Sequence, residues 1–153
     1  MMRGDAMRWK QHGERTWAME LLEGGADWVE VKGTRPGASP AWRVDACLNG
    51  SHYKMGDAFP TKEQAQGCAL LLAMRQVPAS RDALHAQLDA LPGAWWWKIL
   101  PFDDASAEHR SVFSSRVLDS AEAAERSGRA AGAGWFLYVY GPGFVRTFGQ
   151  LPR

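Results

Sequence analysis

The chain has 153 residues, 46% of them hydrophobic, and 18 Lys and Arg against 17 Asp and Glu for a formal net charge of +1. That length suffices for one good core or two small subdomains, and the hydrophobic share excludes wholesale disorder. So even a charge balance excludes a strongly basic nucleic-acid binder or an acidic solvating tail as a description of the whole chain, but not a local patch.

Cys47 and Cys68 are too few for a secreted disulfide framework and too widely spaced for the usual metal-binding pair, so both read as reduced thiols. No stretch approaches the roughly 18 apolar residues of a membrane span. Residues 1–10 carry Arg3, Arg8 and Lys10 without an apolar run behind them, so no secretory signal is expected and the expected location is the cytoplasm.

In chain order, residues 1–12 read as a tail and 13–78 as a first unit. Residues 16–22 and 28–32 form a hairpin around Glu23-Gly24-Gly25-Ala26-Asp27. Val29 and Val31 face one way, and Trp28, Glu30 and Lys32 the other. Two glycines and two prolines make 33–40 a loop. Trp42, Val44, Ala46 and Leu48 then alternate with Arg43, Asp45 and Cys47. Asn49-Gly50 supplies a type I′ turn, after which Tyr53, Met55 and Phe59 take the core face and His52 and Lys54 the outside. Thr61 caps a helix, with Gln64 completing a capping box. Ala65, Cys68, Ala69, Leu72 and Gln76 line its stripe, with Leu71 widening the apolar part.

Residues 79–92 read as a linking helix capped by Ser80, with Leu84, Leu88 and Leu91 as its buried stripe. The second unit, 93–153, begins with a strand over 95–102, on which Trp95 and Trp97 share a face and Trp96 stands on the other. A half-buried strand does not need three tryptophans, so this one is expected to be covered on both sides. A polar loop follows at 103–110 and a strand at 112–118. Asp119 caps a helix with Glu122 in the capping-box position, and Glu122/Arg126 and Glu125/Arg129 mark its solvent face. The opposite face, Ala124, Gly128 and Ala131, is small enough to lie close on a sheet. Residues 135–140 and 144–148 close the chain as a hairpin around Gly141-Pro142-Gly143. The fold expected is α+β: two antiparallel-sheet-plus-helix units in the order ββββα-α-ββαββ, forming one compact protein.

Within residues 28–72, Trp42, Gly56, Phe59, Thr61, Glu63 and Ala65 fall where AP2-type DNA-binding domains carry an early strand Trp, a Gly before F-x-T, and an acidic residue and Ala in the helix. The block resembles the three-stranded-sheet-plus-helix module of that family. The family's aromatic-Arg-Gly start and Trp-Leu-Gly strand are missing, and the step from Gly56 to Phe59 is one residue longer than usual. The resemblance implies DNA contact through the exposed sheet face, here Lys32, Arg43, His52 and Lys54 with Arg35 from the loop, against Glu30 and Asp45. A plain solvated face would instead pair these charges across strands, as Lys32 with Asp45.

No phosphate-binding glycine loop or nucleophile elbow occurs, and His12, His52, His85 and His109 are scattered. Cys47 and His52 flank the Asn49-Gly50 turn, where a half-buried thiol beside a surface His is the ordinary reading. Asp103-Asp104 reads as a turn. No enzyme activity, metal or cofactor is expected.

The aromatics Trp96, Phe136, Tyr138, Tyr140, Phe144 and Phe148, interleaved with Arg110, Arg116 and Arg146, form a candidate interface. Two partners stay open. One is nucleic acid or a nucleic-acid-processing machine, met by the basic sheet face and this aromatic patch. The other is a protein, with the chain acting as an inhibitor or adaptor of the phage or plasmid anti-defence type, or as a homodimer. A membrane partner is not expected.

Overall fold

A computed structural model describes residues 7–21, 26–34, 39, 41–56 and 58–153. The chain divides into two compact units, Met1–Gln87 and Leu88–Arg153. The fold class is the expected α+β, with one antiparallel sheet of five strands, one of four, and helices on both units.

The first unit is a meander of β1 (Lys10–Gly13), β2 (Thr16–Glu20), β3 (Trp28–Gly33), β4 (Trp42–Leu48) and β5 (Ser51–Lys54), each strand antiparallel to the next. Asn49 and Gly50 take positive φ (51° and 79°), as a type I′ connection between β4 and β5 requires. Val29, Val31, Val44, Ala46 and Leu48 are buried on one face, where α1 (Lys62–Gln76) packs against β3 and β4. The Thr61 hydroxyl accepts the Gln64 N–H at 3.1 Å, so the cap forms where the sequence puts it. Trp42 lies over Gly33, its partner across the ladder: a Cβ on Gly33 would sit 3.0 Å from the indole. Phe59 joins Trp42 through a two-way backbone bridge (2.7 and 2.8 Å).

Three expectations change here. Residues 10–12 are not tail but, with Gly13, an edge strand pairing with β2. Their sequence, Lys-Gln-His-Gly, is polar throughout and has no period-2 signal to reveal it. α1 does not bury a stripe: every residue from 65 to 74 is buried, as happens to a helix apolar around most of its circumference. Ser80 is not a cap. It ends a 3-10 turn (Pro78–Ser80) ahead of α2 (Arg81–Asp89), with its hydroxyl buried and without a hydrogen-bond partner among the described residues. The expected strand end at Leu22 and the turn residues Glu23, Gly24 and Gly25 lie outside the described residues.

In the second unit the strand order is β7 (Val112–Phe113), β6 (Trp96–Leu100), β8 (Phe136–Gly141), β9 (Phe144–Gln150), again antiparallel throughout. α3 (Ala121–Ala131) lies on β6 and β8, closing a core of Trp97, Ile99, Ala124, Leu137, Val139 and Leu151. Close approach depends on Gly128, where a Cβ would meet Trp97 at 3.2 Å as well as Leu137. Ala131, assigned to the buried face from spacing, is exposed at the helix end.

The expected strand over 112–118 shrinks to two residues. Ser114 instead turns its hydroxyl to the Trp97 N–H at 3.3 Å, and the chain returns to the sheet only through a bridge between Trp95 and Leu118. The cap of α3 is Ser120, accepting the Ala123 N–H at 3.1 Å, one residue after the expected Asp119. The loop at 103–110 contains a 3-10 helix (Ala105–Arg110) capped by Asp104. Among the described residues no helix is long and apolar enough to cross a membrane.

Candidate nucleic-acid interface

Strand alternation sends every second side chain of the first sheet away from α1. Register then aligns those side chains in rows across the strands. One row runs Lys10, Ala18, Glu30, Asp45, Lys54; the next holds Thr16, Lys32 and Arg43; on the other side Glu20, Trp28, Cys47 and His52 line up. Lys10, Lys32, Arg43, His52 and Lys54 are exposed, while Trp28, Glu30 and Asp45 are half-buried. The face is therefore open, with two acids in the middle and cations at both edges and one end.

Two shallow concavities share Glu30. One of about 640 Å³ is lined by Lys32, Arg43, Asp45 and Lys54 among others, and one of about 530 Å³ by Arg8, Lys10, His12 and Trp28. Among the described residues the Lys32–Asp45 pair of the plain solvated-face alternative does not form. Asp45 is taken by His52, with Nε2 2.8 Å from Oδ1, and Lys32 stands opposite Arg43. Among the described residues Lys32, Arg43 and Lys54 make no ion pair. The His52 ring also leans on Trp28, centroids 6.1 Å apart at 49°.

Of the residues the sequence assigns to this face, Lys32, Arg43, His52 and Lys54 come together on it, and Arg35 lies outside the described residues. Lys10 and His12 were not anticipated, because their strand was not. Cys47 is directly opposite His52 in register, but the imidazole engages Asp45. Among the described residues no cluster of His, Cys, Asp and Glu could hold a metal ion.

The six aromatics of the second unit do not form one patch. Trp96 is 1% exposed, stacked on Tyr140 (4.4 Å, 18°) and edge-on to Phe113 (6.0 Å). All five residues of β6 are buried, so the strand is covered on both faces, Trp96 on one and Trp97 on the other; Trp95 precedes the strand and is half-buried. Beside Trp96, the buried Lys98 places Nζ 2.6 Å from Glu108 and 5.6 Å from each of the Tyr138 and Tyr140 rings. The Tyr138 hydroxyl donates to Asp103. Burial, followed by that bond and the Asp103 charge, pushes the Tyr138 phenol up to about 12. Burial likewise raises Tyr140, and Lys98 partly counters it. The segment at 103–110 thus reaches Lys98 through Glu108 and Tyr138 through Asp103.

Phe144 and Phe148 belong to the opposite, α3-facing side. Phe144 packs edge-on against Trp95 (5.5 Å, 71°), and Arg129 of α3 lies 5.2 Å from the Phe148 ring. Phe136 is half-buried, paired with Leu100. As a free stacking surface the patch is overturned at Trp96, because Tyr140 stacks on the ring, Phe113 meets it edge-on, and the side chain is buried.

No protein-family model matches this chain, and no curated protein or solved structure matches it either.

Proposed function

We propose that this chain is a non-catalytic binding protein that engages nucleic acid through the open face of its first sheet. The observation that carries this reading is the set Lys32, Arg43 and Lys54: exposed, on three adjacent strands, lining one concavity, and in no ion pair among the described residues. Cations held at fixed spacing meet phosphates and release counterions, which supplies affinity without sequence readout. Lys10 extends the basic rim to the far edge of the sheet. The resemblance of residues 28–72 to AP2-type modules supports the same face.

The test is titration of labelled DNA and RNA oligonucleotides at rising salt. Three phosphate contacts give a slope of about −2 to −3 in log K against log salt. Replacing Arg43 and Lys54 together with Glu should abolish binding while far-ultraviolet circular dichroism stays unchanged. Undiminished affinity in that double variant would sink the sheet-face assignment.

A second reading, a protein-binding adaptor or homodimer, rests on edge strand β9, where Phe144 and Val145 are 37% and 56% exposed. Exposed apolar residues on an unpaired edge suit strand addition. Val145→Lys should then abolish the assembly and leave nucleic-acid affinity intact.

A further inference from the structure

We infer that the ligand of the open sheet face is single-stranded nucleic acid laid across the strands, with Trp28 as the platform for an unpaired base; this rests on the nucleic-acid reading above.

The first argument is width. Five strands spaced about 4.8 Å apart span about 19 Å between the outer strands, whereas the major groove of B-DNA is about 12 Å wide and admits a helix or a two-stranded ribbon. Strands β1 and β2 are part of that span, and they carry part of the charged face on Lys10 and Glu20.

The second argument is the order of charges. Glu30 stands directly opposite Asp45 in the middle of the face, with Lys10 and Lys54 at the two ends of that row and Lys32 and Arg43 beside it. A phosphate track running over the centre would meet two carboxylates. Bases there would be welcome, because their exocyclic amino groups donate hydrogen bonds to carboxylates. The arrangement therefore places bases inward and phosphates at the cationic rim, which an unpaired strand can adopt and a duplex, with its bases already paired and enclosed by two backbones, cannot.

The third is Trp28. It is half-buried on the open face, on the far side of the acidic row from Lys32 and Arg43, and braced by the His52 ring. Stacking of a base on an aromatic ring is indifferent to base identity and needs the base freed from its partner.

The experiment uses the intact chain and a fluorescein-labelled mixed-sequence oligonucleotide of about 15 nucleotides, as single-stranded DNA, as RNA and as the DNA duplex, read by anisotropy at about 50 mM salt. The expected result is single-strand affinity about tenfold or more above duplex affinity. Trp28→Leu should weaken single-strand binding by about tenfold, and Trp28→Tyr, which keeps a ring, should retain most of it. Duplex affinity equal to or above single-strand affinity in the unaltered protein, or an unchanged Trp28→Leu variant, would overturn the inference while leaving the basic-face reading in place. No binding of any of the three probes would overturn both.

Discussion

Lys32 stands directly opposite Arg43 across the β3–β4 ladder, and neither is in an ion pair among the described residues. Like charges facing each other across strands oppose folding, and opposite charges in the same position favour it. The facing pair therefore costs the first sheet a little stability, and its removal has a predictable sign.

Arg43→Glu separates the two effects. A carboxylate placed opposite Lys32 should leave stability unchanged or raise it by about 0.2–1 kcal/mol, given the exposure of both positions. The same variant should lose nucleic-acid affinity. Urea unfolding followed by circular dichroism reads the first, anisotropy the second. A destabilisation above about 1 kcal/mol would show that Arg43 has a packing role instead.

Trp96→Ala tests the burial of the central tryptophan. Truncating a side chain that is 1% exposed and stacked on Tyr140 should cost about 3–5 kcal/mol in chemical denaturation. A loss below about 1 kcal/mol would return Trp96 to the surface and revive the aromatic-interface reading.

Gly141→Ala tests close approach. The Trp95 indole lies so near the Gly141 Cα that a methyl group there would overlap the ring. The ring is rigid and is itself wedged by Phe144, so the cost should be about 1–3 kcal/mol, the range for overpacking. A variant as stable as the parent would mean that the indole has room to swing aside.

Tyr138→Phe tests the network over β6. The phenol lies above its ordinary value of 10, at about 12, so the folded state holds this proton more tightly than the unfolded chain does. The stability that follows is complete below about pH 10 and disappears as pH rises through about 12. Between those values the parent should lose stability faster than the Phe variant. Parallel stability curves for the two proteins would remove the phenol from the alkaline transition.

Much of the fold was readable because its signals are local. Asn49-Gly50 specifies a turn by backbone conformation, Thr61 a helix start by one hydrogen bond, and Val29 and Val31 a buried face by alternation alone. Where the reading failed, a local rule had two near-equal solutions or no signal. Asp119 and Ser120 are both good caps, and the backbone path selected Ser120. Lys10–Gly13 has no apolar residue to mark a strand, and it is held by pairing with β2.

The sequence by itself determined the α+β class and the faces of β3, β4 and β5, and so that Glu30, Lys32, Arg43, Asp45, His52 and Lys54 share the open side of the first sheet, because a period of two leaves no freedom once the strands are identified. Only the tertiary structure decided which of those charges stand opposite one another, that Asp45 engages His52 and leaves Lys32 facing Arg43, and that Trp96 is stacked on Tyr140. Those are properties of register and of segments distant in sequence, and the free energy that sets them lies in contacts that no local pattern encodes.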